Sequence, residues 1–481
     1  MKGFSPFFMA NISMGVSTLV RMLLGIMKTK VSAILLGPEG VGIIGLVSQM
    51  QLFGMSLSSF SIGSGLSTNI SMALEQKDRN KRIRTINTAF SLLVISNLLF
   101  LICFGFSLTK ASQFIFHRDD QIRYLIPMLL SVPLHAFLGS FFMGIFFGHE
   151  KIKDYTLASI VAAGIEAVAF LFLIKFFGIT GVLWSVTFGF LVWFLASTVL
   201  VSKFEKLRNL IRFKIDPKAA KDLLSYGTVM SASGLMTYFS NSFLRAYFAR
   251  TLGVHENGIY HVVLVFSSLY MPFLTNAIWA RLHPRVSSAG LTEEAEKEWS
   301  EAILTMMLFG SAIQIGVTFF SNIAIRILYT RQFLPAAQYL PVQMLGDYFF
   351  LLAQPSMAVI LARGKLKTYL ISWCAFFAIQ LSSTYLLVAK FQIFGATYGY
   401  LLASLMIGSI TAFIYLRRLT SFRRKINSIL VFAFSFSCLL FAYSVSQRSR
   451  PLELTLVLAT LYCIMVGAIY FLKPLKERIF I

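Results

Sequence analysis

The sequence predicts an all-α integral membrane protein. It should have about fourteen transmembrane helices, arranged as two parallel six-helix lobes plus two additional C-terminal helices. Three observations carry this. First, 57% of the 481 residues are apolar and 13% are charged, with 48 Phe, whereas a soluble chain is about 25% charged. That much apolar surface cannot be hidden behind so few charges in a soluble globule, and a disordered chain is poor in apolar residues. Second, apolar runs long enough to cross a bilayer, roughly 20 residues each, recur fourteen times. Third, the chain repeats itself.

The runs lie near 9–35, 42–69, 87–109, 124–147, 155–176, 180–201, 225–249, 258–282, 302–324, 337–361, 368–388, 393–415, 428–446 and 452–471. They lack the two-residue alternation of barrel strands. The first is interrupted by Arg21 and shows no small-residue cleavage site, so it reads as a span rather than a cleaved signal. With the N-terminus in the cytoplasm, alternate connections divide the Lys and Arg residues 29 to 10 in favour of the cytoplasmic side. This asymmetry accounts for most of the net charge of +23 without any nucleic-acid partner. It also places both termini in the cytoplasm.

The repeat appears at offsets of 214–216 residues. LLGPEGVGI (35–43) matches TLGVHENGI (251–259), and Pro127 matches Pro341. KIKDY (151–155) matches KLKTY (365–369), and FGITG (177–181) matches FQIFG (391–395). Each copy holds six spans, an even number, so the copies run parallel and are related by an axis along the membrane normal. The expected organisation is a six-helix lobe over 1–202 and a cytoplasmic amphipathic linker over 203–224. A second six-helix lobe follows over 225–417, then two additional spans over 425–481. The linker, KFEKLRNLIRFKIDPKAAKDLL, reads either as a segment lying on anionic headgroups or as a solvated connection. Two parallel lobes suit a transporter that exposes a central site alternately to either side.

Charges inside spans are costly, at roughly 2.5–3.5 kcal/mol on insertion scales, and therefore mark sites. Arg21, Gly25 and Lys28 form one stripe on the first span. Arg245 lies in the seventh span, and His135, Glu166 and Asp347 fall at middle depths. One reading is a basic cavity for an anionic substrate, with Arg21, Lys28 and Arg245 as binding groups and Asp347, Glu166 or His135 coupling an ion. The other is a set of interhelical ion pairs, such as Arg21 with Glu166 or Asp347. Lys28 can also snorkel outward, and His135 can be a packed core histidine. Proline interrupts the fourth span (Pro127, Pro133), the eighth (Pro272) and the tenth (Pro341, Pro355). These prolines and Gly25 are gate or helix-bend candidates, or static packing features. The Glu-rich segment 293–301 reads as a solvated helix start.

Chemistry motifs are missing from the sequence. There is no P-loop, metal motif or nucleophile elbow, so no catalytic residue, metal or cofactor is expected. His117-Arg118-Asp119 has none of the partners of a kinase loop. The four cysteines (Cys103, Cys374, Cys438, Cys463) fall in apolar runs and read as packed apolar residues.

The six-plus-six spans resemble the multidrug/oligosaccharidyl-lipid/polysaccharide (MOP) exporter superfamily. So do the first-span segment STLVRMLLGIMKTKVSAILLGPEGVGIIGLVSQ and the eighth-span run YMPFLTNAIWARLHPRVS. Within it the chain is similar to Wzx-type flippases of O-antigen and enterobacterial common antigen. The resemblance implies a V-shaped pair of lobes in the bacterial inner membrane. It implies an undecaprenyl-diphosphate-linked glycan as substrate, flipped from the cytoplasmic to the periplasmic leaflet, with Arg21, Lys28 and Arg245 binding the diphosphate. Polysaccharide polymerase and chain-length proteins are the implied protein partners. Three alternatives stay open: a peptidoglycan-precursor flippase, a cation-coupled multidrug exporter of the same superfamily, and a membrane-embedded glycan polymerase or ligase. The last should carry a large external loop, and the longest outer connection here spans about 110–123.

Overall fold

The computed structural model describes residues 6–446, apart from 61, 117–120, 207–209 and 291. The expected span at 452–471 and the His-Arg-Asp triplet at 117–119 lie outside the described residues. The described residues form helices and connections without strands, as the length and pattern of the apolar runs require. Among the described residues ten helices are long and apolar enough to cross a membrane. Two of these exceed any bilayer. Helix α1 (Pro6–Ser59) has 54 residues and α6 (Ile152–Ser202) has 51, about 80 Å each at ~1.5 Å per residue, against a hydrocarbon core of about 30 Å.

Each long helix is two spans joined at a glycine. In α1 the break is at Gly37 (φ 61°, ψ −169°), followed by Pro38, which has no N–H to continue the helical ladder. In α6 it is at Gly178 (φ 56°, ψ −130°), the backbone of the first central residue of a type II′ turn. The limbs of α6 then run back beside each other. A Cβ on Gly181 would meet the Leu173 carbonyl at 2.0 Å, and one on Gly189 would meet Glu166 at 2.6 Å.

Between them lie α2 (Ile62–Glu75), α3 (Arg79–Phe116), α4 (Ile122–Ala136), a π-helical turn (Phe137–Phe142) and α5 (Met143–Gly148). The second predicted span, 42–69, is therefore broken near Phe60, which has a positive φ of 45°. Small residues at Ser140, Gly144 and Gly148 recur every four positions and receive α2. Gly144 faces Leu66, Gly148 faces Ile70, and Gly63 sits against the backbone of Ser140. Such stripes let helices approach where lipid gives no hydrophobic drive between them. Ile62, Leu66 and Ile70 of α2 meet Ile86, Ala89 and Leu93 of α3 in a fully buried core.

The segment 203–224 is not one amphipathic helix. Residues 211–216 lie outside any helix, and alternate backbone N–H groups bond to side chains of α3. Arg212 donates to Asn87 (3.2 Å), Lys214 to Ser91 (2.9 Å) and Asp216 to Thr88 (3.0 Å). Asp216 then caps α7 (Pro217–Thr251), accepting from the Lys218 and Ala219 N–H groups at 3.0 Å each. Those bonds, Ala219 foremost, hold its carboxyl below the usual range. Residues 217–224 are thus the first two turns of α7.

The chain divides into two compact units, 1–258 and 259–481, so α7 goes with the first. In the second, α8 (Val254–Ala289, crossing the boundary in its first turns) is followed by α9 (Glu293–Leu328), a 3-10 turn (Arg331–Gln338) and α10 (Leu340–Ala362). Helices α11 (Leu366–Phe391), α12 (Ile393–Arg418) and α13 (Phe422–Ser446) complete it. Helix α10 is the centre of this unit: all but Phe349, Phe350 and Ala362 are buried. Gly346 lies under Tyr400, and Gly408 lies on the Phe349 backbone. The Glu-rich start of α9 is only partly solvated. Glu294 is exposed, but Glu296 is 7% exposed. It accepts from the Thr420 N–H and hydroxyl and from Arg424 Nη1 (3.0 Å), clamping the α12–α13 turn.

Nine described residues have positive φ, and eight form pairs separated by 213–216 residues: Gly37 with Gly253, Lys77 with Gly290, Glu150 with Gly364, Gly178 with Gln392. The backbone thus carries the repeat read from the sequence. Large apolar side chains stand exposed on the helices, as on α3 with Leu98, Leu99, Ile102 and Phe106, the face that a multi-pass membrane protein presents to lipid. Cys103 and Cys374 are exposed too, rather than packed inside.

Candidate functional site

The hairpin at Gly178 sets the polar group of the first unit. It brings Glu166 of one limb beside Gly189 of the other, and the missing Cβ of Gly189 leaves room for the glutamate stem. Lys28, on the first limb of α1, donates to Glu166 Oε1 at 2.5 Å, with side chains 25% and 19% exposed. Ser17 and Ser159 share a hydrogen bond of 3.0 Å on the same pair of helices.

Arg21, seven residues before Lys28, does not pair with Glu166. Its guanidinium lies over the Trp193 ring, 5.4 Å from the centroid, within cation–π range. Trp193 in turn packs on Tyr155 at 5.5 Å. Among the described residues no carboxylate forms an ion pair with Arg21, and the residue is exposed. Gly25 lies between Arg21 and Lys28, with no atom near the position of an added Cβ. The stripe therefore combines an open, aromatic-backed cation at Arg21 with a neutralised one at Lys28.

His135 sits at the end of α4, stacked on Phe190 with centroids 4.4 Å apart. It lines a cavity of about 320 Å³ with Met55, Ser59, Gly63, Ser64, Gly139 and Ser140. Its Nδ1 is buried without a hydrogen-bond partner. The π-helical turn contributes Gly139 and Ser140 to the lining, and the lining residues Ser59 and Gly63 flank the break at Phe60.

Among the described residues Arg245 is the largest fully buried side chain, 2% exposed on α7 beside buried Leu244, Ala246 and Phe248. It lies in the first compact unit. Asp347 is 0% exposed in the second unit. Tyr270 donates to its Oδ2 at 2.7 Å and Gln343 to its Oδ1 at 3.3 Å. Ser267 and Tyr400 lie near the same carboxylate, and Gln314 donates to the Tyr270 hydroxyl at 3.2 Å. Asp347 thus has hydroxyl and amide partners in place of an arginine.

The proline candidates separate. Pro341 lies in the first turn of α10, where a proline starts a helix without bending it. Pro355 is inside α10, and Pro127 and Pro133 are inside α4. The Pro127 carbonyl accepts from Thr187 Oγ1 at 2.9 Å. Pro272 is exposed on α8. No group of three or more metal-ligating side chains occurs among the described residues.

Sequence reasoning missed the partners. Trp193 and Tyr155 gave no signal of their own among so many aromatics. The Gln343–Asp347 pair was legible as an i, i+4 polar pair on one helix face.

Comparison with known proteins bears out the resemblance. Residues 10–244 match the family model described as polysaccharide biosynthesis protein. The chain is 24% identical over 400 residues, 79% of its length and 91% of the relative's, to a candidate O-antigen transporter of Shigella flexneri. It superposes on a multidrug resistance MATE family transporter of the MOP superfamily in an inward-facing conformation. The TM-score is 0.71 at 16% identity, covering 85% of this chain and 98% of that one. The lipid II flippase MurJ, inward closed, gives a TM-score of 0.71 at 13% identity, covering 98% and 100%. The chain thus has the fold of the MOP superfamily transporters, and its N-terminal half matches the polysaccharide biosynthesis protein family.

Proposed function

We propose that this chain is a transporter that flips an undecaprenyl-diphosphate-linked oligosaccharide, an O-antigen repeat or a related unit, from the cytoplasmic to the periplasmic leaflet of the bacterial inner membrane. Translocation proceeds by alternating access. The observation that carries the reading is Arg21, an exposed guanidinium backed by Trp193 inside a span and without a carboxylate partner among the described residues. An open cation in a membrane helix needs an anion. Guanidinium binds phosphate oxygens in a bidentate fork, and a lipid diphosphate offers several. The family match over 10–244 and the relative's name favour a saccharide on that diphosphate. No residue is proposed to do covalent chemistry. Lys28 joins the site when it leaves Glu166, and Arg245 supports it from within the first unit.

Arg21→Ala should abolish surface glycan in a strain lacking its own flippase, at normal membrane levels of the protein. Arg21→Lys should retain part of it, because the charge survives while the fork is lost. Full export by a well-expressed Arg21→Ala variant would refute the proposal. A second reading, a peptidoglycan-precursor flippase, draws on the match to MurJ along 98% of the chain. Rescue of a strain lacking its precursor flippase would select it over the first.

A further inference from the structure

The internal repeat supplies its own control, because features shared by both halves serve the fold. Two features break the symmetry. Phe60 is the one positive-φ residue among the described residues without a counterpart 213–216 positions away. The π-helical turn at 137–142 has none either, since the corresponding stretch of the second half lies inside the regular helix α10. A strained non-glycine residue and a π-turn are each features that gather at functional sites. Here both border one cavity.

That cavity lies wholly within the first unit and holds about 320 Å³. This is the small end of the range for ligand pockets: room for one ring, not for a polyprenyl tail or a whole oligosaccharide. Its polar lining is Ser59, Ser64, Ser140 and His135, and its apolar lining includes Met55 and Met143. Among the described residues no Lys, Arg, Asp or Glu lines it, so it does not suit the diphosphate itself. Hydroxyl and imidazole groups alternating with thioethers match a ring with hydroxyl edges and C–H faces. His135 Nδ1 is sealed off without a partner. A buried orphan acceptor is tolerated better than a buried orphan N–H, so the proton belongs on Nε2, where it can donate. His135 stacks on Phe190 and Arg21 lies over Trp193, one helical turn further along the same limb of α6, which puts the cavity next to the proposed phosphate group.

We infer that this cavity is a subsite for a single uncharged sugar, the one attached directly to the diphosphate, and that it reads the first residue of the glycan. The inference rests on the diphosphate reading above.

Gly139 gives a clean test. An added Cβ there meets nothing within 4 Å, so a larger side chain enters the cavity without disturbing the backbone. Wild type, Gly139→Leu and His135→Leu are reconstituted in nanodiscs. Binding is measured for undecaprenyl diphosphate and for undecaprenyl diphosphate carrying one N-acetylglucosamine. The wild type should bind the sugar-bearing lipid more tightly. Both variants should lose about tenfold or more on that lipid, as sites that bond a substrate hydroxyl do when the fit is lost. They should keep their affinity for the bare lipid, which also reports that they are folded. His135→Leu decides the matter if Gly139→Leu does not fold. Equal wild-type affinity for the two lipids, or sugar-lipid affinity retained in a variant, overturns the subsite alone. A wild type that binds neither lipid overturns the diphosphate reading and the subsite with it.

Discussion

Gly178 and Gln392 adopt the same backbone conformation, φ 56°, ψ −130° and φ 52°, ψ −128°, at equivalent places in the two repeats. Each reverses a helical hairpin, and each is followed three residues later by a glycine, Gly181 or Gly395, pressed on the backbone of the preceding limb. One half meets the positive φ with glycine, whereas the other meets it with a side chain that such a backbone disfavours.

Gln392→Gly should therefore stabilise the protein by about 1 kcal/mol, and Gly178→Gln should destabilise it by about 1–3 kcal/mol. Thermal unfolding in detergent measures both. A Gln392→Gly variant that melts lower would show that the glutamine side chain makes an offsetting contact.

The Lys28–Glu166 pair is half-buried, so removing one partner strands the other. Lys28→Met alone and Glu166→Gln alone should each cost about 1–3 kcal/mol. The double variant should lose less than the sum of the two. Gly189→Ala should resemble Glu166→Gln, because its Cβ would come within 2.6 Å of the Glu166 stem and displace the carboxylate. Strict additivity in the cycle would dissolve the pair.

Glu205 ends the first six spans, held by Arg82 at 2.8 Å and His149 at 3.1 Å. Burial pushes its carboxyl up, but the His149 hydrogen bond and the charges of Arg82, His149 and Arg79 outweigh it. The group titrates below its ordinary 4.5. A depressed carboxyl stabilises the folded state above its unfolded value and loses that contribution as pH falls through the folded one. The melting temperature should fall on acidification below about pH 4.5, and Glu205→Gln should flatten that part of the profile while lowering stability at pH 7. An unchanged acid limb in the variant would assign the loss to other carboxylates.

Asp347 is our first choice for proton coupling. It is fully buried, and its partners are neutral hydroxyl and amide groups that serve either protonation state. Asp347→Asn should keep substrate binding and remove the response of flipping to an imposed pH gradient in proteoliposomes. Glu166→Gln should leave that response in place, since Glu166 is already engaged by Lys28. A normal gradient response in both variants would make Asp347 a structural group.

Local information was enough for the helical membrane fold and the repeat. Run length, sparse charge and the positions of Gly37, Gly178 and Gly253 are properties of short segments, and the backbone reproduces each of them. Which charges meet was a tertiary outcome. Arg21 and Lys28 lie on one stripe, and the sequence offered Arg21 as the partner of Glu166 or Asp347, with Lys28 free to snorkel outward. The turn at Gly178 and the gap at Gly189 gave Glu166 to Lys28 and left Arg21 on Trp193. Glu296 looked solvated beside its acidic neighbours, yet it is buried because Arg424, distant in sequence, folds onto it. The cavity at His135 had no sequence signature either. A π-turn and a break at Phe60 change helix phase without changing apolar periodicity, and it is helix phase that decides which side chains share a space.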